Sequence, residues 1–567
     1  MPTTKKPAKK SKRPAKKSAS RKRTSPALRK TGILPIDDPL LRYLENEIDR
    51  RILGADGQSD VGGAAAASVT GTAGKGGSRK GSRKAPLMVG GMDGGEDMVQ
   101  MAQLRLSALE ESRAMPQVED GAPILMSAAD GGPEMVAPVS GVSNWVQLGP
   151  TAIPKGQTYG GPRVLVTGRV TSIVVDPTAP NTIYCGTAQG GVWKTTDGGT
   201  NWAAKSDNEV SLAIGALAMD PGDHLTLYAA TGEGNFSGDS YYGSGVLKTT
   251  NGGNTWGTQG TTTFLGARFS HIVVTPGTTG ATVRLFAATS NGIYRSSDGG
   301  VNWTQMTNGL PAISGLVRGA TDVVIDPATP ATVYAAFWGS GIYKTTNAGA
   351  ANPVWTQLTS GLPTASAPSP NGFTRVALAL SPSSSQTLYA LFANNDTVNG
   401  SPTQYAISNL YVTTSGGSSW TQITLPGGAV GLGKQGFYNL NIVVDPTTPD
   451  IIYLSAISLW KATRNAMTGV WTFTDIGGSI HPDNHAFAFH PSNHLVIYAG
   501  SDGGIYKSTD AGANWDDTIN EGLCITQFEF IGHLTSERRA PGHQVSENVF
   551  RGVRFLGRRL TACAGNS

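Results

Sequence analysis

Four carboxylates, four arginines and two histidines in this 567-residue chain stand where chemistry could be done. Glu233 and Asp239 fall in a long polar stretch, TGEGNFSGDSYYGSG, beside Tyr241 and Tyr242. Acids next to aromatic rings suit sugars, since a ring covers a pyranose face while carboxylates bond its hydroxyls. Asp502 sits in the tight GSDGG segment, and Asp483 in HPDNH between His481 and His485. Two carboxyl groups can cleave a glycosidic bond between them, about 5–5.5 Å apart for retention and about 6.5–9.5 Å for inversion. Arg169, Arg268, Arg318 and Arg375 each fall just before or at the start of an apolar strand. Clustered guanidinium groups suit a carboxylate or phosphate ligand, or pair with acidic residues of neighbouring repeats. His481, Asp483 and His485 alternate, so an extended backbone would point them one way. Hydrogen-bonded packing is the expectation there, and a metal site is not, because no cysteine or further histidine joins them. No Ser-His-Asp signature, phosphate-cradling loop or dinucleotide fingerprint stands out, so no cofactor is expected.

The elements that must position these groups repeat. The stretch GVWKTTDGGTNW, Gly191 to Trp202, returns six more times, ending at Trp256, Trp303, Trp355, Trp420, Trp471 and Trp515, at intervals of 44 to 65 residues. Each copy joins a short apolar strand, usually with a basic residue, to a polar turn and then Trp. Three copies keep Ser/Thr-x-Asp-x-Gly-x-x-Trp, with Asp197, Asp298 and Asp510; Asn251, Asn347 and Ser415 replace the Asp in three others, and the sixth keeps little but Lys461 and Trp471. Gly supplies the positive φ of a hairpin, and a carboxylate can accept the N–H groups of its own turn. Around each copy lie three more strand signals, the first ending in Asp-Pro or a relative of it, from SIVVDP at Pro177 to AFAFHP at Pro491. Four-stranded units at a period near 50 predict the blades of a β-propeller.

The motif resembles the Asp-box, or BNR, repeat of sialidases, xyloglucanase-type glycosidases, the sortilin ectodomain and a photosystem II assembly factor. The resemblance covers Asn144 to about Gly532. It implies an all-β, seven-bladed propeller, and it is specific for fold rather than activity. In such a ring the Asp-box turns lie on one face, so Asp197, Asp298 and Asp510 are expected to lock turns. The arginines, Glu233, Asp239, Asp483 and Asp502 are expected on the other face, around the channel mouth. Sialidases hold the sialic carboxylate with an arginine trio, but their Arg-Ile-Pro segment is missing here. NWVQLGP (Asn144 to Pro150) reads as a spare outer strand, and ITQFEFIG (Ile525 to Gly532) as a spare inner one.

Flanking segments differ in kind. Residues 1–36 carry 13 Lys/Arg and no Asp/Glu. That composition reads as a disordered basic tail, either a tether to nucleic acid or another anionic surface or a solvated segment without a partner. Residues 37–143 read as linker with two short helix candidates, Asp37 to Leu53 and Met98 to Met115, the propeller as 144–532, and the Arg-rich 533–567 as a frameshifted or truncated end. No apolar run is long enough to span a bilayer. No export signal shows, which by default means cytoplasmic, whereas the resembling proteins are often exported. Three cysteines without paired spacing imply neither a disulfide framework nor zinc. Two functions fit: a non-catalytic binding or scaffold propeller recognising glycan or protein through its upper face, or a glycoside hydrolase.

Overall fold

The computed structural model describes residues 152–526 with short omissions (159–162, 238–239, 313–318, 365–371, 395–396, 399–400, 403–405 and 428–431), and a few short pieces outside them. Residues 1–36, the Asp37 to Leu53 helix candidate, most of Met98 to Met115, Asn144 to Pro150, the segment after Thr526 apart from two short paired strands, Asp239 and Arg318 lie outside the described residues.

Seven antiparallel units follow one another in chain order, forming a seven-bladed β-propeller. Their inner strands are Val170–Val175, Ile214–Asp220, Phe269–Val274, Ala320–Ile325, Phe373–Ser381, Asn441–Val444 and Asn484–His490. Blade 1 shows the plan: Val170–Val175 pairs with Ile183–Thr187, then Val192–Thr195, then Ala203–Ala204 at the rim. Blade 7 has three full strands, and a bridge between Lys507 and Asp516 supplies its outer position.

A blade is buried on both faces, so its alternating side chains feed two cores. In the second strand of blade 1, Tyr184 packs with Ile214 and Leu227 of blade 2, while Cys185 packs with Tyr498 and Ile505 of blade 7. The core is therefore seven wedges, one per junction, each filled with Val, Ile, Leu, Ala and aromatics at 0–9% exposure. The seam between blades 7 and 1 is closed from both sides. Thr167 donates its N–H to the Gly503 carbonyl and its hydroxyl to that of Leu523. Val164 packs on Leu459 and Tyr506, and Ile525 on Val170.

The turns sort to two faces. Gly198 donates to the Asn181 carbonyl at 2.9 Å, so the first–second and third–fourth turns of a blade meet on the lower face. Ala188 donates to the Arg169 carbonyl at 3.1 Å, so the second–third turn meets the incoming connection on the upper face. Trp202, Trp256, Trp303, Trp355, Trp420, Trp471 and Trp515 all follow the lower-face turn of their blade. Trp355 and Trp420 are buried and the other five half-buried. Trp202, Trp256 and Trp515 donate their indole N–H to Ile519, Lys205 and Ile476 of the preceding blade.

In blades 1 to 4 the basic residue of the third strand has a use that its spacing alone does not show. Lys194, Lys248 and Lys344 stand in register beside Tyr184, Tyr228 and Tyr334, over the ring. Each ammonium reaches into the lower-face turn of the next blade, to the carbonyl of Gly252 (3.1 Å), Gly299 (2.8 Å) or Gly416 (2.7 Å). Arg295 does the same with the carbonyls of Ala348, Ala350 and Ala351. These charge-assisted bonds stitch blade to blade.

Candidate functional site

The upper mouth of the ring is filled by a connected set of polar side chains. Arg169 enters the channel just before the inner strand of blade 1. Its Nη1 donates to Glu233 Oε1 at 2.5 Å, and its Nε to Asp502 Oδ1 at 2.7 Å. Glu233 comes from the second–third loop of blade 2 and Asp502 from that of blade 7, so one guanidinium spans blade 1 between two neighbours. The two bonded oxygens are thereby held within about 8 Å of each other. Glu233 is fully buried, and its Oε1 also accepts from Asn235 at 2.7 Å.

Asp502 gathers three side-chain partners. Besides Arg169 it accepts from Tyr438 (2.9 Å to each oxygen) and faces His485 Nε2 at 2.8 Å. Burial acts to raise its pKa, but the Arg169 charge and the His485 and Arg169 hydrogen bonds overcome that and hold the carboxyl far below the usual range. His485 shifts down, because burial outweighs the pull of Asp502. It is therefore neutral at pH 7, donates from Nε2, and leaves Nδ1 buried without a hydrogen-bond partner.

A second cation completes the mouth. Arg375, third in the inner strand of blade 5, donates to the carbonyls of Phe437 (3.1 Å) and Tyr438 (2.7 Å). Its guanidinium lies 5.2 Å over the Phe236 ring, and its buried Nε has no hydrogen-bond partner. Burial pushes its pKa down to about 10, against the opposing charge of Asp322, so it stays charged at neutral pH. Phe236 belongs to the blade 2 loop and contacts Trp338 of blade 4 at 5.1 Å. That loop therefore crosses the mouth and forms a floor. Three of the five described non-glycine residues with left-handed backbone, Phe236, Gln435 and Asp483, lie on these upper connections. Such residues persist only where their surroundings fix them.

The other sequence candidates divide by face. Asp483 accepts from Asn439 at 2.8 Å, and His481 Nδ1 faces the Pro482 carbonyl at 2.9 Å. With Asp483 at φ 61, the inner strand starts only at Asn484, so the regular alternation expected for His481, Asp483 and His485 does not hold and their side chains take separate partners. Among the described residues no three His, Cys, Asp or Glu side chains are grouped to hold a metal ion. Tyr241 and Tyr242 are half-buried in the blade 2 loop; half-buried Arg268 stands before the inner strand of blade 3. Asp197, Asp298 and Asp510 lie on the lower face. Asp197 accepts from Thr195 Oγ1 (2.7 Å), the Asn201 N–H (2.9 Å) and the Asn201 side chain (2.7 Å), and the other two repeat this. Where Asn251 replaces the acid, its Oδ1 accepts the same Thr hydroxyl and backbone N–H.

Sequence reasoning missed Tyr438, Asn439, Asn235 and Phe236. Tyr438 and Asn439 carried a usable signal. They stand just ahead of an inner strand, as Arg169 does.

No family model matches the chain, and no curated protein matches it. Among solved structures it is similar to an ancestral GH74 enzyme at 20% identity, covering 70% of this chain and 50% of that one, with a TM-score of 0.48. It is similar to the GH74 enzyme of Niastella koreensis at 21%, covering 68% and 57%, with a TM-score of 0.47. The chain thus spans about half the length of these two enzymes. It is also similar to YCF48 bound to D1 peptide, at 13% identity, covering 64% of this chain and 98% of that one, with a TM-score of 0.41. These are distant likenesses of fold, and the propeller rests on the strand pairing of this chain itself.

Proposed function

We propose that this is a non-catalytic binding propeller of the Asp-box kind, whose upper face takes a glycan or protein ligand. The observation that carries this reading is the pairing of both Glu233 and Asp502 with Arg169. Glycoside hydrolysis needs one carboxyl that keeps its proton near neutral pH. Asp502 is held ionised, and Glu233 is fully buried against Arg169. The network thus supports a rigid floor, with half-buried Tyr241, Tyr242, Trp338 and Phe437 on the loops around it as contact surface. Such rings suit sugar faces or apolar peptide side chains alike.

Hydrolysis is the second reading. Arg169 holds two carboxyl oxygens within about 8 Å, which overlaps the spacing of inverting enzymes. A panel of aryl glycosides separates the two. The binding reading expects no release above blank, and oligosaccharide or peptide binding that Trp338→Ala weakens at least tenfold. Release that Glu233→Gln or Asp502→Asn abolishes would establish the enzyme instead. The basic segment 1–36 is proposed as the tether to nucleic acid or another anionic surface, with binding that falls steeply with salt and disappears on its deletion.

A further inference from the structure

At one junction of the ring the third strand carries no cation, and a cleft opens there. In blade 5 the tyrosine is kept as Tyr389, but its register partner is Val412, where the other blades carry Lys194, Lys248, Arg295, Lys344, Lys461 and Lys507. The facing turn of blade 6 is changed too. Asn465 closes it on itself, accepting from Met467 and Thr468, so it presents no stitched glycine carbonyl. Tyr389, unlike Tyr184 and Tyr334, which bond to that carbonyl, donates instead to Pro449 at 2.8 Å. With no long cation to fill the gap, a cleft of about 770 Å³ remains between blades 5 and 6, on the side of the lower face. That volume falls in the range of small-ligand sites.

The geometry points to this cleft as a second binding site, for a neutral saccharide. Its lining has the chemistry of a sugar site in three respects. Half-exposed Trp471, edge-on to Tyr389 at 6.0 Å, contributes aromatic surface for the apolar side of a pyranose. Gln422 and a set of threonine hydroxyls offer donors and acceptors together. Asp450 and Arg464 stand 3.5 Å apart and about one-third and two-fifths exposed, so their charges cancel while their outer atoms still bond hydroxyls. As a pair they are neutral, so they give a charged ligand no net attraction. The site is independent of the upper-face reading, since it shares no residue with it.

Saturation-transfer NMR with cellotriose, maltotriose and mannotriose tests this, with glucuronate, glucosamine and the peptide Ala-Tyr-Ala as controls. At least one neutral trisaccharide is expected to receive saturation in the millimolar range and to quench tryptophan fluorescence. Val412→Lys, which returns the missing cation to the gap, is expected to weaken that binding at least tenfold. Gln422→Ala, a surface change that leaves packing alone, is expected to weaken it too. Glu233→Gln and Trp338→Ala on the upper face are expected to leave it unchanged. The proposal is overturned if no neutral trisaccharide binds, if a charged sugar or the peptide binds better, or if neither Val412→Lys nor Gln422→Ala has an effect. Binding that only the upper-face variants remove would overturn this site while supporting the other.

Discussion

Replacing Arg169 by Met isolates the energetics of the channel mouth. The guanidinium holds Glu233, at 0% exposure, and Asp502, at 14%. Removing one partner of a buried ion pair costs about 3–5 kcal/mol, because the charge left behind is desolvated and uncompensated. In a unit of this size each kcal/mol moves the melting temperature by about 1–2 °C, so a fall of about 3–10 °C is expected at pH 7. The pH dependence carries a sign. In the native protein the Asp502 pKa is depressed, so its contribution is complete above the ordinary carboxylate range and is lost as pH falls from that range toward the depressed value. In the variant the same carboxyls have lost their cation, and burial raises their pKa above the unfolded value. The folded variant then takes up protons first, and its deficit shrinks between pH 7 and pH 5. Differential scanning calorimetry of both proteins at the two pH values measures this. Adding Glu233→Gln to Arg169→Met should recover about 1–2 kcal/mol. A loss below about 1 kcal/mol at pH 7, or a deficit equal at both pH values, would refute the reasoning.

Three further outcomes are expected. Lys344→Met removes the bond to the Gly416 carbonyl and should cost about 1–3 kcal/mol in urea unfolding, against less than about 0.5 for an exposed lysine of the same chain. Asp197 has its pKa lowered to about 2 by the Asn201 side chain and N–H and the Thr195 hydroxyl, so its contribution is present above the ordinary Asp value and lost as pH falls toward 2; Asp197→Asn, on the pattern of Asn251, should keep the neutral-pH melting temperature and flatten its fall between pH 4 and pH 2. Burial drives the Cys185 thiol far above its ordinary pKa, so peptide mapping after iodoacetamide treatment should find it unmodified in the native protein and modified in urea.

Much of the ring was legible because its signals are local. Asp176 at the end of SIVVDP accepts the N–H groups of Thr178 and Ala179 in the turn that follows, and Asp326 and Asp445 repeat this in blades 4 and 6. A turn of that kind can be read from one short window, and its recurrence fixes the strand order and therefore the faces. This is why Arg169, Glu233 and Asp502 could be assigned to one end of the channel. Their partners were another matter. Tyr438 meets Asp502 across 64 residues of sequence, and Phe236 meets Arg375 from three blades away. Those contacts depend on how a loop crosses the closed ring, and no periodicity encodes that path. The alternation expected of His481, Asp483 and His485 failed for a related reason. It presumed an extended backbone, and Asp483 is left-handed.

The stitches between blades end on main-chain oxygens: Gly252, Gly299, Gly416, Ala348. A substitution can delete a side chain, but every residue keeps its carbonyl. The receiving turn is thus released from any obligation to a particular residue and need only keep its shape. Copies are free to drift, as Asn251, Asn347 and Ser415 have, without loosening their neighbours. Drift turns costly only where the shape itself goes, as in the turn before Trp471. A ring wired in this way tolerates blurred repeats and concentrates its risk in the donor lysines, where single substitutions should be felt by two blades at once.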